Sequence, residues 1–187
     1  MRFRRKPKAP AKNTDVYAFI DSQNLNLGIQ RAGWKMDWRK FREFLRVKYG
    51  VTKAYMFIGY ISENEDMYNQ LHEAGYLIVL KPTVDTSNSN SDEPNHKPVI
   101  KGNIDAELVL YAMKELPNYA QAIIVSGDGD FYCLAEYLDS KNRLAHIMTP
   151  NWKYSTLLKP YEKYIVRLDQ KRKDLEHKDY RRKLKKH

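Results

Sequence analysis

With 187 residues the chain has the length of one domain, and its 42% apolar content is enough to fill a core. No stretch reaches the ~18–20 continuous apolar residues of a membrane helix. The basic start MRFRRKPKAPAKN is not followed by an apolar run of signal-peptide length, so a cytoplasmic protein with no membrane segment is the expectation.

The net charge of +10 is concentrated at the ends. Residues 1–12 carry +6, and residues 171–187 carry nine Lys or Arg against three acids, which leaves −2 for the body between them. Such ends release condensed counterions from a phosphate backbone and point to nucleic acid as partner; solubilising tails are the plainer alternative. The expected layout is a basic arm over residues 1–14, a domain over 15–169 and a basic tail over 170–187. Cys133 is the single cysteine, which excludes an internal disulfide and a cysteine zinc cage; it is expected as a small buried residue on a helix.

In chain order, VYAFI (16–20) reads as a short buried strand ending at Asp21. A short helix follows over 25–32. Asp37 caps a helix over 38–49, with Trp38, Phe41, Leu45 and Tyr49 at helical spacing and Gly50 as its stop. Residues 51–59 read as a second strand. Ser62 and Glu65 form a capping box for a helix to about 74, stopped by Gly75. A third strand covers 76–80. Residues 83–102 are polar and aperiodic, a long loop of the kind that is functional or disordered. Residues 104–116 follow as an amphipathic helix, 122–125 as a fourth strand, 131–140 as a helix and 144–148 as a fifth strand. A helical turn over 155–158 and a short strand over 164–168 complete the series. Alternating strands and helices predict an α/β fold: a three-layer α/β/α sandwich with a mainly parallel sheet of about five or six strands. Its ligands bind beyond the carboxyl ends of the strands, where the strand order reverses.

Several acids fall at that edge. Asp21 ends the first strand, and Asp128 and Asp130 follow the fourth in VSGDGDF. Asp105 opens the helix after the long loop. If strands one and four are neighbours, these carboxylates converge and repel one another unless a cation offsets them; oxygen-only donors suit Mg²⁺ or Mn²⁺. Each acid also has a plainer reading as a helix cap or turn acceptor. Asn24 can orient Asp21, touch substrate or cap a helix. Lys101 can meet a phosphate near the metal or be an ordinary loop lysine. Ser126, in the glycine-bearing turn, is a substrate-binding candidate, as are Arg172, Lys173, Arg181 and Arg182 in the basic tail. The histidines are scattered along the chain. Trp152, Tyr154, Tyr161 and Tyr164 are candidates for stacking on unpaired bases, or for packing of the C-terminal segment.

Taken in order, FIDSQNL, KGNIDAELVLYAM and IIVSGDGDF resemble the NYN domain of the LabA-like group, over about residues 17–149. The resemblance implies a PIN-like fold with an acidic site at the strand carboxyl ends, and metal-dependent cleavage of RNA. By motif it implies that Asp21 and Asn24 are the first-strand pair, Asp105 the central acid, and Asp128 and Asp130 the last acids. Where many relatives place another acid six residues after the central one, this chain has Tyr111. Two other readings stay open: an RNA-binding or protein-interaction module without catalysis, and a different hydrolase using the same acids. An aspartyl-phosphate phosphatase fits poorly, since Gln23 stands where a second acid is needed. A homodimer is also left open.

Overall fold

The computed structural model describes residues 13–59, 64–81 and 104–178. The expected loop over 83–102, the Ser62 half of the capping box, and Lys101, Arg181 and Arg182 lie outside the described residues.

Six parallel strands form one sheet in the order β3-β2-β1-β4-β5-β6. They are β1 (Val16–Asp21), β2 (Val51–Gly59), β3 (Leu77–Lys81), β4 (Gln121–Val125), β5 (Leu144–Thr149) and β6 (Ile165–Arg167). The order reverses between β1 and β4, so the crevice that such sheets use for ligands opens there. The central strands are apolar on both faces because both are covered. On one face Ala18 and Ile20 of β1 join Met56, Ile123 and Val125 in a core closed by α1 (Ser22–Arg31), α2 (Trp38–Tyr49) and α3 (Glu65–Glu73). On the other, Tyr17, Phe19, Phe57 and Ile124 pack under α4 (Asp105–Lys114) and α5 (Tyr132–Ser140). The period of two along β1 thus supplies both cores from one strand.

The element boundaries follow local chemistry. Asp37 accepts a bond from the Lys40 backbone N–H at 3.2 Å and caps α2, and Gly50 ends it at φ 66°. The first helix begins at Ser22 rather than near residue 25, because Asp21 itself is its cap. A 3-10 turn over Gly129–Phe131 precedes α5, and two 3-10 pieces joined across a kink at Tyr161, together spanning Thr156–Tyr164, replace the expected single turn. Beyond β6 the chain forms a short helix α6 (Arg172–Leu175), whose Leu175 is fully buried against the α2 side.

Cys133 corrects an expectation: it is exposed on α5. Phe131, Leu134, Ala135 and Leu138 form the stripe that faces the sheet, and position 133 falls off it. Among the described residues no helix is long and apolar enough to cross a membrane.

Candidate active site

Asp21 sits at the carboxyl end of β1, only 4% exposed. Its Oδ1 accepts the Asn24 backbone N–H at 3.0 Å, and its Oδ2 accepts the Ser126 hydroxyl at 3.1 Å. Ser126, itself buried, directly follows β4 and also accepts the Asp128 backbone N–H at 3.1 Å. Asn24 closes the arrangement from the other side, its Oδ1 accepting the Gly127 backbone N–H at 2.9 Å. One turn of α1 and the loop after β4 are therefore tied together across the switch point.

The turn over 126–130 is held by glycines for steric reasons. A Cβ on Gly129 would fall 2.4 Å from Ser155 Oγ, and one on Gly127 would crowd Tyr154 and Pro150. The segment after β5 thus packs directly on the acidic turn, and the Ser155 N–H donates to Gly127 O at 2.9 Å.

Burial pushes the Asp21 carboxyl above the usual aspartate range. The bonds from Asn24 and Ser126 oppose this shift, and the nearby charges of Asp105 and Asp128 add to it. Asp105 at the start of α4 and Asp128 in the loop after β4 therefore both act on the Asp21 carboxyl. Asp128 accepts the Asp130 N–H at 3.1 Å and so caps its own 3-10 turn, while the Asp130 side chain is exposed. The plain and functional readings coexist, since a capping carboxylate retains a second oxygen. Asp105 is the first residue of α4, with Ile104 at the cap position.

Among the described residues, no three His, Cys, Asp or Glu side chains are gathered closely enough to hold a metal as a ready-made cage. The hard-oxygen donor set still fits Mg²⁺ or Mn²⁺. Mg²⁺ in particular keeps several waters and takes one or two carboxylates together with substrate phosphates, so it does not require an all-protein cage.

Of the other sequence candidates, Arg172 and Lys173 are exposed on α6, and Arg172 pairs with Glu176 at 2.8 Å. Tyr154, Tyr161 and Tyr164 pack against the α5-side core, which leaves Trp152 as the exposed aromatic of that group. Tyr111 packs edge-on against Tyr55 and Phe57. Two features escaped the sequence reading. Lys81, at the end of β3, pairs with Glu107 in the first turn of α4 at 2.9 Å. Arg31 and Lys153 face a groove beside Asn24. Neither feature carries a motif, and both depend on which segments the sheet brings together.

The family model for the NYN domain matches residues 15–167, most of the chain. The low amplitude and bright protein LabA of Synechococcus elongatus is 28% identical over 131 residues, which span 66% of this chain and 67% of LabA. A solved structure from Vibrio parahaemolyticus, VPA0982, described as a protein of unknown function, superposes with a TM-score of 0.68. It covers 88% of this chain and 97% of its own at 20% identity, which bears on the fold alone.

Proposed function

The chain belongs to the NYN domain family, and from that membership, in a family that is generally nuclease-like, we propose that it is a metal-dependent ribonuclease acting on single-stranded RNA. The observation that carries this reading is the buried Asp21 at the switch point, with Asp105 and Asp128 pressing on its charge. A buried carboxylate repelled by two others at a ligand-binding edge is what a divalent cation relieves, and the bound cation in turn draws a phosphate.

In this reading Asp21, Asp105 and Asp128 hold Mg²⁺ or Mn²⁺, with Asp130 contributing directly or through water. A cation there supplies charge neutralisation for the phosphodiester and makes water more acidic. Ser126 and Asn24 keep the Asp21 oxygens and the 126–130 turn in fixed relation. Hydrolysis adds water across the P–O3′ bond, leaving a 5′-phosphate on one product and a 3′-hydroxyl, with the water's proton, on the other. The basic ends supply sequence-independent attraction to the RNA backbone.

The test is cleavage of a labelled single-stranded RNA with Mn²⁺ or Mg²⁺, comparing the parent chain, Asp128→Asn and an EDTA control. Loss of partners that merely orient metal ligands costs about 10- to 100-fold, so loss of a ligand should slow cutting roughly a hundredfold or more. Equal rates in parent and variant would sink the assignment. RNA that is bound but never cut favours the non-catalytic module, a reading that Tyr111 in the place of a further acid supports. A panel including DNA and phosphomonoesters separates the ribonuclease from other hydrolases.

A further inference from the structure

A groove of about 640 Å³ runs beside the acidic site, between α1 and the turn after β5. Its volume is within the roughly 300–1,000 Å³ of small-ligand pockets. It begins at Asn24 and Gly127, which are bonded to each other and flank the Asp21 cap and the Asp128 turn. Whatever fills it lies directly next to whatever the acids hold.

The lining is cationic and aromatic. Arg31 and Lys153 have no acidic partner among the described residues. Among the described residues the one carboxylate on the wall, Asp169, is already held by Arg167 at 2.6 and 3.1 Å. Trp152 remains 62% exposed although Lys153 Nζ stands 5.1 Å from its ring centroid.

The platform is also rigidly built. Asn151 Nδ2 donates to Gly28 O at 2.9 Å, the Lys153 N–H donates to Asn151 Oδ1 at 2.8 Å, and Thr149 Oγ1 donates to Asn151 O at 3.1 Å. Gly28 touches Pro150 so closely that a Cβ there would fall 2.4 Å from the proline ring. The Trp152 turn is thus fixed to the same helix that Asp21 caps.

We propose that this groove is a subsite for one unpaired nucleotide adjoining the scissile phosphate, its base stacked on Trp152 and its backbone phosphate held by Arg31 and Lys153. The proposal rests on the reading of single-stranded RNA as substrate and adds where the flanking nucleotide binds. Stacking on an aromatic face is tolerant of sequence, so the subsite selects unpaired over paired strands rather than one base over another.

The test is binding of a short single-stranded RNA carrying 2-aminopurine at successive positions, in EDTA so that no cutting occurs. One position should be quenched on binding. Trp152→Ala should abolish that quench and weaken binding about 5- to 100-fold, while Trp152→Phe restores most of it. Replacing both cations, Arg31→Gln with Lys153→Gln, should flatten the salt dependence by about 0.7 in log–log slope, the value for one phosphate no longer neutralised. A duplex of the same sequence should be indifferent to Trp152. The subsite is overturned if Trp152→Ala binds, quenches and cleaves as the parent does, and cleavage lost in Asp128→Asn would then still uphold the nuclease. Trp152-dependent binding without metal-dependent cutting would instead keep the subsite and remove the nuclease. An oligonucleotide that the parent neither binds in EDTA nor cuts with Mn²⁺ overturns both.

Discussion

At the scale of single residues, Asp21 is under opposing demands. It caps α1 and accepts from Ser126, yet burial and two neighbouring carboxylates disfavour its charge. A carboxyl whose pKa is raised in the fold stabilises fully below its unfolded value, near 3.9, and loses that contribution as pH rises through its raised value. Asp21→Asn keeps the shape and the cap oxygen but not the charge. In EDTA it should melt above the parent at pH 7, with the gap closing toward pH 4. Added Mn²⁺ should raise the parent's midpoint, since binding to the folded state alone stabilises it, and leave the variant's almost unchanged. Melting curves over pH 4–8, with and without Mn²⁺, decide the matter; a variant less stable than the parent at pH 7 in EDTA counts against it. The position of this acid was legible from FIDSQN, because a polar residue ending an apolar run marks the strand's carboxyl end. The part played by Ser126 was not. Its serine sits 105 residues from Asp21, and only the pairing of β1 with β4 brings the hydroxyl to the carboxylate.

At the scale of elements, the strands and major helices follow from periodicity, and their ends from caps and glycines. Tertiary packing redrew the rest. Gly28 reads as an indifferent residue within a short helix, yet it is where α1 meets Pro150 at closest approach. Gly28→Ala should gain helix propensity and still lose stability, by about 1–3 kcal/mol, because the proline ring cannot yield as a flexible side chain would. Thermal or denaturant unfolding gives the sign directly, and an alanine that stabilises would show that the turn after β5 is not braced there. The 170–178 segment makes the same point. Its basic composition reads as solvated, but Leu175 is buried, Asp37 N–H donates to Leu175 O at 2.8 Å, and His177 N–H donates to Lys35 O at 2.8 Å. A lone leucine among charges carries too little periodicity to announce a docking turn.

At the scale of the whole molecule, the two basic ends leave the body at different places. The backbone O of Asp15 receives the Ala120 N–H at 2.7 Å, which fixes the N-terminal arm's root at the amino edge of the parallel sheet. That root is about 20 Å from the acids along β1, at ~3.3 Å per residue. The C-terminal stretch leaves beside Lys35 and Met36, and a cavity joining Lys35 and Trp38 to Ser22 and Gly59 places that junction toward the carboxyl edge. Removing residues 179–187, which carry five Lys or Arg against one acid, should therefore weaken RNA binding and flatten its salt dependence without unfolding the body. The slope should fall by about 0.7 for each phosphate that is no longer neutralised. An unchanged slope would assign the attraction to the groove and the other end.

The exposed thiol of Cys133 has a practical consequence at this scale. It is the only sulfhydryl in the chain and lies in the first turn of α5, three residues past Asp130. A maleimide dye reacts at one place, on a surface that the cores do not need. Paired with a second dye at either end of a bound oligonucleotide, it becomes a molecular ruler that reports which way the strand runs past the carboxylates.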